Sequence, residues 1–226
     1  MRETDWLVYF HKNAVEPLLP WEDDYRLSGA ERVAVIESIQ QFQLGENAQG
    51  RRLLRRAEAL DAKLVPILRL FIQEEQRHSA MLGRFLVTQG ASCLKRHWMH
   101  ESFRRVRGSA GLELCMRVLA TAEVLAIPYY TALREATGSP LLRSICSRIL
   151  AEEAQHLRFQ EFALARLAFG RAELLRDLVR EVHRWFLMAT TLLVWMEHAK
   201  VFRAGGYSLR RLWRQSLSEG RALLAA

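Results

Sequence analysis

Two Glu-x-x-His motifs constrain the fold of this chain more than any other feature of its 226 residues. The first covers 75–78 and the second covers 153–156. A further glutamate precedes each motif by nearly the same interval: Glu46 lies 29 residues before Glu75, and Glu123 lies 30 residues before Glu153. Because residues i and i+3 share one face of an α-helix, each motif presents a carboxylate and an imidazole to the same side.

The two intervals predict two antiparallel helical hairpins. The midpoint of the first interval falls between Leu60 and Asp61, and we expect Asp61 to be a helix N-cap. The midpoint of the second is Gly138, inside the turn signal Thr-Gly-Ser-Pro. Residues equidistant from such a turn lie at the same height, so each glutamate should face its Glu-x-x-His motif. The hairpins repeat at offsets of 77 and 78 residues, which indicates a longer crossover between them.

The residues brought together in this way are a plausible ligand set for two metal ions. The set contains four carboxylates, two imidazoles and no thiolate, which suits iron or manganese. Four clustered carboxylates in an apolar core would otherwise have to take up protons. The candidate ligands are Glu46, Glu75, His78, Glu123, Glu153 and His156.

The remaining pattern predicts an all-α protein with a single domain over 1–226. Only 12 Gly and 5 Pro interrupt the chain, and we find no strand pattern. We expect an extended or partly helical N-terminal arm (1–27), a four-helix bundle (28–169) and one or two additional C-terminal helices (170–226). The predicted helices cover about 28–58, 61–90, 109–136, 140–169, 172–203 and 208–224, the first beginning at a Ser28–Glu31 capping box.

Cysteine usage and charge narrow the class of protein further. The three cysteines (93, 115 and 146) form no Cys-x-x-Cys pair, which excludes a rubredoxin-type iron site and favours a reduced, cytoplasmic protein. No export signal or apolar run long enough to span a bilayer is present. The net charge of +8 is consistent with nucleic acid, an anionic surface or an acidic protein partner, and equally with an arginine-rich genome.

Over residues 28–169 the sequence resembles the ferritin-like di-iron carboxylate superfamily, which includes bacterioferritins, rubrerythrins and soluble acyl-carrier-protein desaturases. The stretch 46–50 (Glu-Asn-Ala-Gln-Gly) is similar to the Glu-Asn-x-x-Gly of the desaturases. The resemblance implies a ferritin-like four-helix bundle with two iron ions, manganese or a mixed pair being the alternatives. It also implies that Glu75 and Glu153 bridge the ions, that Glu46 and His78 complete one, and that Glu123 and His156 complete the other. The similarity to the desaturases further implies that the basic surface docks an acidic carrier protein. Two arginine clusters are the candidate patches: Arg51, Arg52, Arg55 and Arg56, or Arg210, Arg211 and Arg214.

Acids outside this set have other expected roles. Glu74 and Glu152 each precede a candidate ligand, and a helix turns about 100° per residue, so they should face away and pair with arginine. Glu197 and His198, in the predicted fifth helix, are candidates for hydrogen bonding to a ligand histidine.

Our leading hypothesis from the sequence is a di-iron oxidoreductase that activates dioxygen or peroxide and hydroxylates, desaturates or N-oxygenates an organic substrate. It would use a small-molecule or carrier-bound substrate and an external electron donor, and it could form a homodimer. The main alternative is a ferroxidase or iron-storage protein, against which the extra N- and C-terminal segments argue. A third alternative is an RNA-modifying hydroxylase, but only the basic net charge supports it, so a nucleic-acid partner is disfavoured. The last alternative is a structural helical bundle that binds no metal.

Overall fold

The computed structural model describes residues 2–15, 18–47, 50–98, 101–103, 105, 111–170 and 172–225. Within these ranges the chain is helical and contains no β-strand, which confirms the all-α prediction. A single 3₁₀ turn, Ala62–Leu64, precedes α4. The α-helices are α1 (Glu3–Asn13), α2 (Gly29–Glu46), α3 (Arg51–Leu60), α4 (Val65–Thr88), α5 (Leu112–Glu135), α6 (Pro140–Leu167), α7 (Glu173–Ala204), α8 (Leu209–Glu219) and α9 (Arg221–Ala225).

Two helical hairpins form the centre of the molecule, as the repeated spacing predicts. Helix α2 packs against α4, α5 packs against α6, and contacts between α4 and α6 join the two pairs. The Ser28 hydroxyl accepts a hydrogen bond from the Glu31 backbone N–H (3.3 Å), and the Glu31 carboxylate accepts one from the Ser28 N–H (2.7 Å). The same carboxylate accepts a bond from the Gly138 N–H (2.7 Å), so the start of one hairpin is tied to the turn of the other.

The first bundle helix is interrupted directly after Glu46, where the sequence pattern predicted a continuous helix to about residue 58. Helix α2 ends at Glu46 and α3 begins at Arg51. Gly50 adopts a positive φ of 60°, and a Cβ atom there would collide with the side chain of Ile72. Apolar residues continue at helical spacing across the break, which is why periodicity alone does not reveal it. Residues 48 and 49, part of the desaturase-like stretch, lie outside the described residues.

Asp61 occupies the predicted N-cap position, at the 3₁₀ turn that leads into α4, but its side chain makes no capping hydrogen bond. The side chain instead accepts a hydrogen bond from the Arg166 guanidinium (Nη2–Oδ1 3.1 Å). Arg166 also donates to Glu3 (2.7 Å). The end of the first hairpin is therefore joined to the end of α6 and to α1 by one arginine.

The segments outside the bundle bury their apolar faces against it. Trp6 and Phe10 of α1 are almost fully buried and α1 packs on α4, so the N-terminal arm is partly helical, as expected. Helix α7 packs on α2 and α5. The predicted last helix is divided at Gly220 into α8 and α9. Because these contacts are extensive, we propose that residues 1–226 form one domain. Among the described residues, no helix has both the length and the apolarity required to cross a membrane.

A buried histidine on α7 predicts a pH dependence of stability. Burial, together with the positive charge of Arg117, lowers the pKa of His183 to about 4 from an ordinary 6.5. Below pH 6.5, His183 therefore takes up a proton in the unfolded chain, whereas in the folded chain it stays neutral down to about pH 4. This residue thus makes the free energy of unfolding fall as the pH falls from 6.5 to 4. The expected slope of the free energy of unfolding against pH approaches about 1.4 kcal/mol per pH unit in this window.

Urea unfolding of the wild type and of His183→Gln between pH 6.5 and 4.5 measures this contribution. In the variant, the free energy of unfolding should fall less steeply with falling pH, by the contribution of about one proton. Equal slopes in the two proteins would contradict the assignment.

Candidate metal centre

The six candidate ligands lie together in the centre of the bundle. Glu46 is the last residue of α2, and Glu123 lies in the middle of α5. The two Glu-x-x-His motifs lie on α4 and α6. Their ligand atoms form two groups, each with all atoms within 4.8 Å of one another: Glu46, Glu75, His78 and Glu153 in one, and Glu75, Glu123, Glu153 and His156 in the other.

Glu75 and Glu153 belong to both groups and lie between the two imidazoles. The Glu153 carboxylate is 3.4 Å from His78 Nδ1 through one oxygen and 3.4 Å from His156 Nδ1 through the other. Glu75 Oε1 is 3.6 Å from His78 Nδ1 and 3.1 Å from His156 Nδ1. This is the arrangement expected of two bridging carboxylates, with one imidazole for each ion.

The candidate ligand atoms that face the centre of the cluster have no hydrogen-bond partner among the described residues. This holds for His78 Nδ1, His156 Nδ1, Glu75 Oε1 and both carboxylate oxygens of Glu153, all of which are buried. A buried polar atom without a partner costs about 1–3 kcal/mol, and more if it is charged. Five such atoms directed at one region fit a pair of metal ions, which would supply the missing partners.

The electrostatics of the cluster are consistent with this fit. Burial, followed by the charges of Glu75 and Glu153, raises the pKa of Glu46 well above its usual range. Burial and the neighbouring Glu153 likewise raise the pKa of Glu123. Without metal, these two carboxyl groups therefore favour the neutral form. Metal binding would displace their protons, because ligands bind as carboxylates.

The far side of each candidate ligand imidazole, at Nε2, is held by a glutamate of the opposite hairpin. His78 Nε2 is 2.6 Å from Glu152, and His156 Nε2 is 3.0 Å from Glu74. A carboxylate in this position fixes the tautomer and the orientation of the ring and leaves Nδ1 free to bind a metal. The expected arginine pairing of these two acids is also present: Glu74 pairs with Arg77, and Glu152 pairs with Arg148. The sequence signal for this role is the doubled glutamate in each motif, Glu-Glu-x-x-His.

Helix α1 contributes hydrogen bonds to the two glutamates that hold the imidazoles. The Asn13 amide donates to Glu152 (2.6 Å) and to Glu74, so one side chain joins the two carboxylates that hold the histidines. Arg77 and Arg148 both donate to the Asn13 backbone carbonyl, at 3.2 and 3.3 Å. The N-terminal arm therefore contributes directly to the metal centre, which the sequence pattern does not indicate.

We expect Glu152→Gln to weaken metal binding at the His78 side by about 10- to 100-fold. The amide cannot hold the imidazole Nε2–H as strongly as the carboxylate does, so Nδ1 loses its fixed orientation. Competition titration with a chelator measures the change, and Glu161→Gln, on the same helix but outside the cluster, is the control. Unchanged affinity in Glu152→Gln would contradict the positioning role.

His198 is placed differently from the sequence hypothesis, which gave it and Glu197 a role in supporting a ligand histidine. His198 is buried, and its Nδ1 is 2.8 Å from the Ser38 hydroxyl. It has non-helical backbone angles inside α7 and lies in the wall of a cavity. The residues in contact with the ligand imidazoles at Nε2 are Glu74 and Glu152, because they lie on the bundle helices themselves, whereas α7 packs outside them. Glu197 is only partly buried.

The two carboxylates that belong to only one group each accept a hydrogen bond. Tyr130 donates to Glu46 (2.8 Å), and the Gln160 amide donates to Glu123 (3.1 Å). Tyr130 is seven residues, or two turns, after Glu123, and Gln160 is four residues, or one turn, after His156. Both are therefore on the site-facing side of their helices, and this spacing is the signal by which the sequence could have identified them.

A cavity of about 740 Å³ borders the cluster on its carboxylate side. Glu46, Glu75 and Glu123 form part of its wall, whereas most of the remaining wall is apolar and includes Phe71 and Leu125. The arginines and histidines in its wall are Arg51, Arg52, His97, Arg105 and His198. The volume lies in the range of small-molecule sites, which is about 300–1,000 Å³.

The fold and the cluster together define the class of protein: a ferritin-like helical bundle whose described residues include buried Glu/His groups able to hold two metal ions. No family model and no curated protein matches the sequence. Among solved structures, the chain is similar to a mutant of an R2-like ligand-binding oxidase with an aerobically reconstituted Mn/Fe cofactor. The TM-score is 0.59 at 16% identity, over 100% of this chain and 86% of the other. The resemblance to ferritin-like proteins is thereby confirmed at the level of the fold.

Proposed function

We propose that this chain is a di-metal oxidase that uses dioxygen or peroxide to oxidise an organic substrate. The observation that carries the proposal is the set of buried, unpartnered donor atoms that converge from His78, His156, Glu75 and Glu153. In the proposal these residues, with Glu46 and Glu123, would hold two ions, with Glu75 and Glu153 within reach of both.

Iron is our first choice of metal, with manganese or a mixed pair as the alternatives. The carboxylate and imidazole donors suit all three. The Mn/Fe cofactor of the structurally similar oxidase makes the mixed pair worth testing directly. When bound, the ions would supply the redox chemistry of oxygen activation, and an external electron donor would be needed to reduce them.

The chain's own residues have three tasks in this proposal. Glu74 and Glu152 keep both imidazole Nδ1 atoms directed at the ions. Tyr130 and Gln160 hold Glu46 and Glu123 in place through one carboxylate oxygen each. The apolar wall around Phe71 and Leu125 binds the substrate and excludes water next to the open carboxylate side.

The cavity favours substrate oxidation over iron storage. Its walls beyond the three carboxylates are mostly apolar, whereas a path for hydrated iron would need polar side chains along its length. A fitting substrate has an apolar part that reaches the metal centre.

A carrier-bound substrate is supported by the position of the first arginine cluster. Arg51 and Arg52 line the cavity, and Arg55 lies exposed one turn further along α3. The second cluster, on α8, does not line the cavity. An acidic carrier protein bound at α3 would therefore place its substrate at the cavity, and electrostatic attraction would speed the encounter.

The first experiment fills the cavity without changing the ligands. Ala122→Phe places a ring beside Glu123 on the cavity side, and Ala30→Phe, at an exposed position of α2, is the control. Each protein is loaded with iron, or with manganese and iron, and is supplied with reductant, dioxygen and a panel of free and carrier-linked aliphatic substrates. Mass spectrometry then detects a gained oxygen atom or a lost pair of hydrogen atoms.

Oxidised product in the wild type and Ala30→Phe, but not in metal-loaded Ala122→Phe, is the expected result. Uptake of many iron ions per chain with assembly into a large cage, and no product, would overturn the proposal in favour of iron storage.

The second experiment tests the carrier. Arg52→Glu and Arg55→Glu should raise KM for carrier-linked substrate and leave KM for the free substrate unchanged, whereas Arg210→Glu should affect neither. Equal effects of all three variants would assign the dependence to net charge and contradict a docking site on α3.

A further inference from the structure

Helix α7 has two apolar faces, and the described part of the chain covers only one of them. Leu187, Val194 and Val201 recur at every seventh residue and are buried against the rest of the molecule. On the opposite side, apolar residues recur at alternating intervals of three and four and are exposed by 42–75%. These residues, which we call the α7 stripe, are Leu175, Leu178, Val182, Trp185, Leu192 and Met196, with the exposed Ala189 at the remaining position.

The spacing of the α7 stripe is that of a coiled-coil seam. Alternating intervals of three and four correspond to positions a and d of a heptad repeat. From Leu175 to Met196 the repeat is unbroken and spans about 31 Å. Such a seam packs best against another helix with the same periodicity, because the a and d side chains of each helix then fit between the side chains of the other.

We propose that the α7 stripe is the contact surface for a second copy of this chain, in which the two α7 helices pair antiparallel about a twofold axis at Trp185. A twofold interface requires a patch that is complementary to itself. About an axis at Trp185, Leu178 faces the partner's Leu192, since each is seven residues from the axis. Val182 and the partner's Ala189, three and four residues from the axis, lie next to each other. The two smallest members therefore flank the axis, which leaves room for both tryptophan rings.

The size of the α7 stripe also fits a dimer. Its large side chains expose roughly 100 Å² each, so the stripe is on the order of 600 Å², against about 800 Å² per partner in a standard interface. A soluble monomer rarely exposes a continuous apolar patch larger than a few hundred Å².

Charge favours a protein partner over a lipid surface. Between Glu173 and Ala204 there are four acidic residues and five arginines and lysines, so the helix is nearly neutral. Beside the stripe, Arg180 is paired with Asp177 (3.1 Å) and Arg184 with Glu181 (3.5 Å). A membrane-binding helix instead has an excess of cations next to its apolar face.

The first test is the mass of the full-length protein in solution. Sedimentation equilibrium should give twice the chain mass of 26.2 kDa for the wild type. Trp185→Glu should weaken the association roughly 30-fold or more, because it places two buried charges at the axis. Val87→Glu, which changes a residue of similar exposure (68%) on α4, is the matched control and should remain a dimer. A monomeric wild type, or a Trp185→Glu dimer of unchanged affinity, would overturn the proposal.

Cysteine cross-linking tests the orientation and does not depend on the behaviour of Trp185→Glu. In a Cys93→Ser background, which removes the exposed native thiol, Leu178→Cys alone should not cross-link, whereas Leu178→Cys with Leu192→Cys should form covalent dimers on oxidation. Cross-linking of Leu178→Cys alone would indicate parallel helices and overturn the antiparallel arrangement. A monomer that sediments with anionic phospholipid vesicles would overturn the dimer in favour of a membrane surface.

Discussion

Replacing Glu153 with glutamine is expected to lower the metal content of the protein from about two ions per chain to less than one. Glu153 is fully buried, and its two oxygens are each 3.4 Å from a different ligand imidazole. In the proposed centre its charge is shared by both ions, so its loss weakens both. The amide has nearly the same volume, so the packing of α6 is kept. Elemental analysis of protein grown with iron and manganese measures the effect.

The matched control is Glu161→Gln, two turns further along the same helix and outside both ligand groups. It should retain the metal content of the wild type. Two ions per chain in Glu153→Gln would contradict a bridging role, and no metal in the folded wild type would remove the metal centre altogether.

Metal loading is expected to raise the free energy of unfolding by about 4 kcal/mol for each ion at a free concentration about 1,000-fold above Kd. The reason lies in the unpartnered atoms: in the absence of metal, His78 Nδ1, His156 Nδ1 and the oxygens of Glu153 are buried without a hydrogen bond. For a chain of this size, each kcal/mol corresponds to about 2–4 °C in Tm. Differential scanning calorimetry of chelator-treated and metal-loaded protein measures the shift.

The comparison needs a protein that folds but cannot bind the ions. Glu153→Gln with Glu75→Gln serves this purpose, and the same metals should leave its Tm unchanged. Equal stability of the wild type with and without metal would instead support a metal-free structural bundle, the last of the alternatives raised by the sequence.

The sequence identified the residues of the cluster because the geometry of a helix links spacing to position. The i, i+3 motifs place Glu75 with His78 and Glu153 with His156 on one face each. The intervals to Glu46 and Glu123, measured from the turns, place the partner glutamates at the same height. No long-range information was needed for this step. The similarity of the fold to a di-metal oxidase agrees with the bundle that these intervals predict.

Local sequence patterns did not predict the structure correctly where a contact between distant parts of the chain determines the local conformation. The break between α2 and α3 depends on the approach of Gly50 to Ile72. The side chain of Asp61, at its N-cap position, binds Arg166 instead of making a capping hydrogen bond. Such contacts join residues far apart in the sequence, so no periodicity reports them.

The sequence by itself determined the all-α class, the two hairpins and the six residues of the cluster, because all of these follow from repeat distances within and between helices. Only the tertiary structure decided how the cluster is supported and approached. The crossed pairing of His78 with Glu152 and of His156 with Glu74, and their joint contact with Asn13, depend on how the two hairpins and α1 pack together. The cavity beside Glu46, Glu75 and Glu123 exists because helices from separate parts of the chain leave space between them, and helical periodicity records which face is apolar but not what that face will meet.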